Sequence, residues 1–427
     1  MYTYLLMLLD FVKHHTMHWY MIFIGIILFR WLVIRLFAFR YKPYVCENGN
    51  LYTSVIIPVV DEPIDLFSTV LDRIAQQKPN EIIVVINGPE NPALYEACVL
   101  LRKKWKESGI YQNLELKILQ TTLAGKRNAI MLGVRNSNTN SDITVLVDSD
   151  TIWTENMLKN LKMPFLADEK IGGVTTRQKI YKPNRRLVTM IAALLEEIRA
   201  EGSMKAMSVT GKVGCLPGRT IAFRTEIMRR AMHEFMTESF MGIHKEVSDD
   251  RSLTNITLKM GYKTVMQDTS VIYTDAPVKW KKFIRQQLRW AEGSQYNNLR
   301  MSPWMFCHAP LMMFIYWTDM LMTFLLVSTY TNIVLCMGMR ILGLSMRSIV
   351  YTEPVWLVIL LILIGAAVGM GGRNMRAILQ LPPYYILFLP VVTLVLSAVM
   401  TPIRIVGLMK CADSLGWGTR VTHEQRE

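Results

Sequence analysis

Six cysteines, Cys46, Cys98, Cys215, Cys307, Cys336 and Cys411, are scattered along the chain, and no two form a C-x-x-C pair. That spacing excludes a zinc framework and a small disulfide scaffold, and it suits a reducing cytosol for the soluble part. Histidine is also scarce. There are seven, none in an H-E-x-x-H pattern. His14, His15 and His18 cluster near the N-terminus, where a juxtamembrane position accounts for them better than a metal site. Acidic residues are outnumbered by basic ones, 34 to 48, which leaves a net charge of +14. Such a balance suits nucleic acid, an anionic membrane surface or acidic substrates. Nothing in the chain has the pattern of a nucleic-acid module, so membrane attachment and anionic ligands account for the charge more simply.

What the chain has in excess is apolar sequence. Hydrophobic residues make up 51% of the 427, and the excess is concentrated at the two ends. That layout indicates an integral membrane protein with a large soluble insert. The short run Tyr4–Leu9 is expected to form an interfacial helix. Trp19–Phe39 is long enough to cross a bilayer, and Arg30, Arg35, Arg40 and Lys42 mark its end as cytoplasmic. A cleaved signal peptide is disfavoured because the stretch is long, arginine-interrupted and without a small-residue cleavage site. Beyond Pro303 come three nearly uncharged runs, Leu311–Met337, Val355–Gly369 and Tyr384–Met400. Asp319, inside the first, is expected to face a bundle interior or a water-filled path. The expected organisation is an N-terminal interfacial segment and transmembrane helix (1–43), a cytoplasmic domain (44–280), an interfacial helix (281–304), transmembrane helices (305–410) and a polar tail (411–427).

Between the apolar ends, strand-like and helix-like segments alternate, which predicts an α/β domain with a mostly parallel sheet. Its central element is Ile143–Val147 followed by Asp148-Ser149-Asp150. An unbroken apolar and β-branched run reads as a strand buried on both faces, and ligands bind beyond the carboxyl ends of such strands. Asp148 and Asp150 therefore suit Mg²⁺ or Mn²⁺ carrying a diphosphate. The alternative is an ordinary polar turn. Earlier strands end at Asp61-Glu62 and at Asn87-Gly88, whose groups suit the edge of a nucleobase or ordinary turn chemistry. Lys126 and Arg127 open a helix after Gly125, where basic side chains and free N–H groups suit a diphosphate. A solvated helix turn is the rival reading.

Ser248-Asp249-Asp250-Arg251 brings two carboxylates together, which favours one as a general base. The same tetrapeptide also reads as a helix N-cap with an acidic first turn. Gln286-Gln287-Leu288-Arg289-Trp290 lies just before the apolar region. Arginine there suits a leaving diphosphate and tryptophan a sugar face, or the segment is an interfacial helix with an aromatic anchor. Trp417-Gly-Thr-Arg420 lies in the tail.

In this order, Ile57-Pro58, Asp61-Glu62, Gly125-Lys126-Arg127, Asp148-Ser149-Asp150, Ser248-Asp249-Asp250-Arg251 and Gln286-x-x-Arg289-Trp290 resemble the processive family 2 glycosyltransferases, which include hyaluronan, chitin and cellulose synthases. Trp417–Arg420 is similar to the tail of bacterial hyaluronan synthases. The stretches 54–63, 84–89, 172–179 and 214–223 resemble streptococcal type 3 capsular polysaccharide synthases. The resemblance implies a GT-A-like fold and a processive, inverting, membrane-embedded synthase with a cytoplasmic catalytic domain. It implies UDP-glucose and UDP-glucuronate as donors and a growing acidic capsular polysaccharide as product. Membrane lipid would surround it, with no nucleic-acid partner.

The resemblance also implies residue roles. Asp61, Glu62 and Asn87 would contact uracil, Lys126 the diphosphate and Asp148 the nucleotide. Asp150 would bind Mg²⁺ or Mn²⁺. Asp250 would be the base, with Asp249 beside it. Gln286, Arg289 and Trp290 would form the acceptor and diphosphate end, and Trp417 and Arg420 a gating loop. Three positions depart from the family's pattern: Val60 stands where an aromatic residue is frequent, Ile86-Asn87 replaces an acidic pair, and Ser248 stands where hyaluronan synthases carry glycine. Donor choice is expected around Thr175–Lys179 and Cys215–Arg219.

A tail over a cytosolic site requires an even number of crossings after Pro303. With three runs visible, either Leu311–Gly343 is a helical pair or one run is interfacial or re-entrant; the pair is favoured, since Arg340 and Arg347 would then face the cytosol. A hyaluronan synthase using UDP-GlcNAc and UDP-glucuronate, a non-processive transferase acting on a lipid, and a transporter or channel with a regulatory nucleotide-binding domain are the alternatives.

Overall fold

A computed structural model describes residues 22–109, 111, 113–343 and 355–413. Trp417 and Arg420 lie outside the described residues, as do Tyr4–Leu9 and Arg347.

The unbroken Val/Ile runs become the centre of a sheet. Strands β1 (Thr53–Val59), β2 (Glu81–Asn87) and β4 (Ile143–Val147) are buried almost throughout. Their side chains alternate between two cores, as the two-residue period of a strand requires. Ile56, Ile83, Val85 and Leu146 enter one core; Val55, Ile57, Val84, Ile86, Val145 and Val147 enter the other. The full sheet adds β3 (Glu115–Thr121), β5 (Ile152–Trp153), β6 (Ile171–Ile180), β7 (Thr220–Arg224) and β10 (Lys263–Thr274), in the order β3-β2-β1-β4-β7-β6-β10-β5. The pairs β1–β2, β2–β3, β1–β4 and β6–β10 are parallel; β7 runs antiparallel to both β4 and β6. A short hairpin, β8 (Ser239–Phe240) and β9 (Ile243–His244), stands apart.

The strand order reverses between β1 and β4, the place where ligand crevices open in such sheets. The carboxyl ends of β1, β2 and β4 lie at one edge. Because β7 is reversed, Thr220 pairs with Val147, and the residues just before it reach that same edge.

Helices α2 (Ile64–Gln76), α3 (Pro92–Ser108) and α5 (Met157–Ala167) cover one face. Helices α4 (Lys126–Arg135), α8 (Thr225–Met236) and α9 (Asp249–Lys259) cover the other. The second core does not stop at the domain. It includes Ile34 and Ala38 from helix α1 (22–38) and Met301, Met305, Met312 and Ile315 from α10 (Trp280–His308) and α11 (Pro310–Ile341). Between the faces and the apolar region lies α6 (Leu187–Arg199), which runs through a π-helical turn, Ala200–Met204, into α7 (Lys205–Val209).

Among the described residues, Pro310–Thr331 and Tyr385–Met409 are long and apolar enough to cross a membrane. The expected helical pair within Leu311–Gly343 is not present. Pro310–Ile341 is one helix of 32 residues, because no glycine or proline interrupts the backbone hydrogen-bond ladder before Gly338. The expected interfacial helix 281–304 is longer than its apolar pattern, running from Trp280 to His308 with Pro303 inside it.

Asp319 is half-exposed and faces two other helices. It accepts from Arg404 Nη1 at 3.2 Å and lies 3.5 Å from Arg30 Nη2, so one carboxylate joins α1, α11 and the last helix. That last helix, Tyr385–Met409, is tied down at both ends. Tyr385 donates to Asn184 Oδ1 at 3.3 Å, and Leu389 and Val392 pack with Val188, Ile191 and Phe283. At its far end Gly407 lies against Ala291 of α10, and Lys245 Nζ donates to the carbonyl of Asp413.

Candidate active site

The sheet edge collects most of the carboxylates that the sequence singles out. Asp61 is exposed just beyond β1, and Glu62 next to it accepts from Ser149 Oγ at 3.0 Å. Asp148 and Asp150 follow β4, both half-buried. Lys126, at the start of α4, forms an ion pair with Asp148 Oδ1. Burial opposes its charge, but Asp148, Asp249 and Asp250 together hold its pKa above the ordinary lysine value.

Burial, with Asp148 and Glu62 nearby, pushes the Asp150 carboxyl up to about 6, partly offset by Arg219. That rise is the electrostatic mark of a place short of positive charge, and it fits a divalent cation. Among the described residues no group of three or more His, Cys, Asp or Glu side chains could hold an ion alone. An ion held by Asp150 and Asp148 would therefore complete its shell with phosphate oxygens and water, as Mg²⁺ does.

Asn87 is placed differently from a free nucleobase contact. It is buried, and its amide donates to the carbonyl of Gly125 at 3.0 Å, which fastens the end of β2 to the loop carrying Lys126. Arg127 is a correction. It does not face a diphosphate but is buried, donating to Asp249 Oδ1 at 2.9 Å, Glu238 Oε2 at 2.7 Å and the Phe235 carbonyl. A helix turn sends neighbouring side chains about 100° apart, so Lys126 faces the edge while Arg127 faces the core.

The same divergence splits the acidic pair. Both carboxylates lie in the first turn of α9, and Ser248 before them makes no side-chain cap. Asp249 is buried against Arg127, a positioning role. Asp250 faces the edge: its Oδ2 accepts from the Gly218 N–H at 3.1 Å and lies 4.0 Å from Cys215 Sγ. Burial and Asp250 push the Cys215 thiol up to about 12, so it stays protonated.

The loop Pro217-Gly218-Arg219 is thus the bridge of the site. One N–H holds Asp250, and the Arg219 carbonyl accepts from the Asp148 N–H at 2.9 Å. The Arg219 guanidinium lies over the Trp290 ring, 5.6 Å from its centroid. Gln286, Arg289 and Trp290 sit on α10, with Trp290 about one-third exposed (37%). The structure therefore brings Glu62, Lys126, Asp148, Asp150, Asp250 and Trp290 around one edge. Gln178 and Arg219, from the two stretches where donor choice is expected, are joined beside Trp290 by Glu196 and Arg199, which the sequence does not single out. The available signal is the charge at Glu196, Glu197, Arg199 and Glu201 inside an otherwise apolar stretch.

Residues 50–293 match the family model described as "Glycosyltransferase like family 2". The match covers more than half of the 427 residues, and the chain belongs to this family. It is 28% identical to hyaluronan synthase of Streptococcus pyogenes over 276 residues, 62% of each chain. It is 26% identical to an N-acetylglucosaminyltransferase of Rhizobium meliloti over 244 residues, 56% of this chain and 55% of the other. The chain thus spans less than two thirds of the length of these relatives. In fold it is similar to the mannosyltransferase PcManGT from Pyrobaculum calidifontis, solved with GDP-Man and Mn²⁺. That match has a TM-score of 0.59 and 16% identity, and covers 91% of this chain and 99% of the other. The GT-A-like, mostly parallel sheet expected from the sequence is the fold observed, and the chain is a glycosyltransferase.

Proposed function

We propose that this glycosyltransferase is a membrane-embedded, processive polysaccharide synthase. It draws on UDP-glucose and UDP-glucuronate and builds an acidic capsular polysaccharide. The observation that carries this reading is the Pro217–Arg219 loop, which sets Asp250 on one side and Asp148 with Asp150 on the other. In this reading a base and a nucleotide-diphosphate end lie on either side of that loop, and Trp290 offers a stacking surface beside it. The arginine-joined apolar helices next to this site support a membrane location for the same chain.

In this reading Asp61, Glu62 and the ends of β1 and β2 hold the uracil. Lys126 binds the diphosphate. A Mg²⁺ or Mn²⁺ held by Asp150 and Asp148 would add positive charge to the leaving group. An Asp250 carboxylate oxygen takes the proton of the acceptor hydroxyl. The acceptor's hydroxyl oxygen, as it loses that proton, forms its bond to the anomeric carbon from the face opposite UDP, the carbon–phosphate-oxygen bond breaks, and its electron pair leaves on UDP. The configuration is inverted. Gln286 and Arg289 hold the acceptor and diphosphate end, and Trp417 and Arg420 serve the tail loop.

The test is full-length protein in nanodiscs with UDP-glucose, UDP-glucuronate and Mn²⁺. Long polymer supports the synthase. Transfer of a single sugar to lipid, or no UDP release from any UDP-sugar, overturns it.

A further inference from the structure

Four side chains beside the transfer site form a charged cluster for which the reaction just described has no use. Glu196, almost wholly buried, accepts from Arg219 Nη1 at 2.8 Å through one oxygen and pairs with Arg199 through the other. Gln178, also buried, accepts from Arg219 Nη1 at 2.8 Å and from Arg199 Nη2 at 3.4 Å, and donates to the Pro217 carbonyl at 2.9 Å. Two guanidinium charges thus share the Glu196 carboxylate, with Asp150 the other carboxylate whose field reaches Arg219. Arg199 Nε is buried and lacks a hydrogen-bond partner among the described residues.

The geometry of Arg219 is the informative part. Both of its bonds to Glu196 and Gln178 leave from Nη1, so the Nε–Nη2 edge of the planar fork is engaged by neither. Its position is fixed from below by those bonds and from the side by the Trp290 ring. Its own carbonyl holds Asp148, which places it at the donor end. In the reading above Lys126 serves the diphosphate, and Arg219, displaced toward the aromatic wall, is a second cation at that end.

We propose that Arg219, braced by Glu196, Gln178 and Arg199, reads the carboxylate of a hexuronosyl donor. A rigid guanidinium edge matches a carboxylate with two parallel hydrogen bonds, which an ammonium cannot do. The bracing also explains how one cleft admits a neutral hexose. Without a carboxylate, Arg219 keeps Glu196 and Gln178 and is not left a bare buried charge, so the neutral donor is not strongly rejected. This inference rests on the UDP-sugar reading above.

The test uses full-length protein in nanodiscs with Mn²⁺. It compares wild type with R219Q, R219K and E196Q. UDP affinity is measured by calorimetry, and kcat/KM is measured for each donor with the other saturating. The readout is the ratio of kcat/KM for UDP-glucuronate over UDP-glucose. It is expected to fall at least tenfold in R219Q, and by less in R219K, which keeps the charge and loses the fork. In E196Q it is expected to fall by less than in R219Q. An unchanged ratio in R219Q overturns the proposal. So does a loss of UDP affinity as large as the loss for UDP-glucuronate, which would assign Arg219 to the diphosphate. A wild-type protein that consumes only neutral UDP-sugars overturns the carboxylate role and leaves the synthase standing. Failure of wild type to bind UDP overturns both.

Discussion

The Ser248 hydroxyl fills the space that a Cβ at Gly293 would need. Ser248 itself holds a left-handed backbone, φ 64°, which a side chain makes costly. The two positions are complementary: a side chain on the α9 turn is accommodated by its absence on α10, three residues after Trp290. G293A is therefore expected to destabilise the protein by about 1–3 kcal/mol through overpacking and to push α10 away from the site. S248G is expected to be neutral or stabilising by up to about 1 kcal/mol, and S248G/G293A should recover most of what G293A loses. Thermal unfolding and polymer yield of the four proteins check this. A double variant no better than G293A alone would refute the complementarity.

Asp250→Asn is expected to lower polymer synthesis by about 10²–10⁴-fold, the usual contribution of a general base. UDP affinity, measured by calorimetry, should survive, because the Gly218 N–H that anchors the side chain can still be accepted by the amide oxygen. Full synthesis by this variant would remove Asp250 from the mechanism.

Asp150 makes metal binding pH-dependent. Its carboxyl stands at about 6, above the ordinary aspartate value. Below that pH it holds a proton that a cation must displace, so Mn²⁺ affinity should fall about tenfold per pH unit there and level off above. The sign for metal-free stability is opposite. A raised carboxyl pKa favours the folded state at low pH, and that benefit disappears as pH rises through about 6. Metal-free D150N should accordingly melt higher than wild type at pH 7.5. Calorimetric titration of Mn²⁺ between pH 5 and 8, with parallel melting curves, reads both effects.

Arg127 is held between Glu238 and Asp249 with almost no exposure. Arg127→Met leaves two buried carboxylates without their shared cation and is expected to cost about 3–5 kcal/mol. Denaturant midpoints measure it. A loss below about 1 kcal/mol would mean that Lys126 and Arg300 compensate.

The single helix Pro310–Ile341 changes the expected topology. A cysteine at Gly343 is predicted to react with an impermeant reagent from outside the cell. One at Asp413 should react only from the catalytic-domain side. Labelling of both from the same side would restore the helical pair.

The sheet was legible because Val55–Val59, Ile82–Ile86 and Ile143–Val147 are runs of apolar and β-branched residues, and strands buried on both faces have few other sequence solutions. Asp148, Asp150 and Asp250 were legible through their order along the chain. The opposite directions taken by Lys126 and Arg127, and by Asp249 and Asp250, were not. Both pairs carry like charges, and only the phase of a helix against its core decides which member points outward. The Arg219 cluster draws on β6, α6 and the loop before β7, about forty residues apart at the extremes; the stretches with Gln178 and Arg219 were singled out, but no local spacing shows that Glu196 and Arg199 join them. The long α11 was misjudged because apolar length alone does not distinguish one helix from two.

The helix Tyr385–Met409 is pinned to Asn184 at its start and, through Gly407 and Asp413, to Ala291 and Lys245 at its end. It cannot slide along its axis without breaking one of these anchors. Between them Arg404 reaches Asp319 on α11. The apolar helices are thereby cross-linked to the sheet domain on both sides of Arg404. If the chain is the processive synthase proposed above, product advance is expected to leave these anchors intact, with the product stepping through a fixed frame.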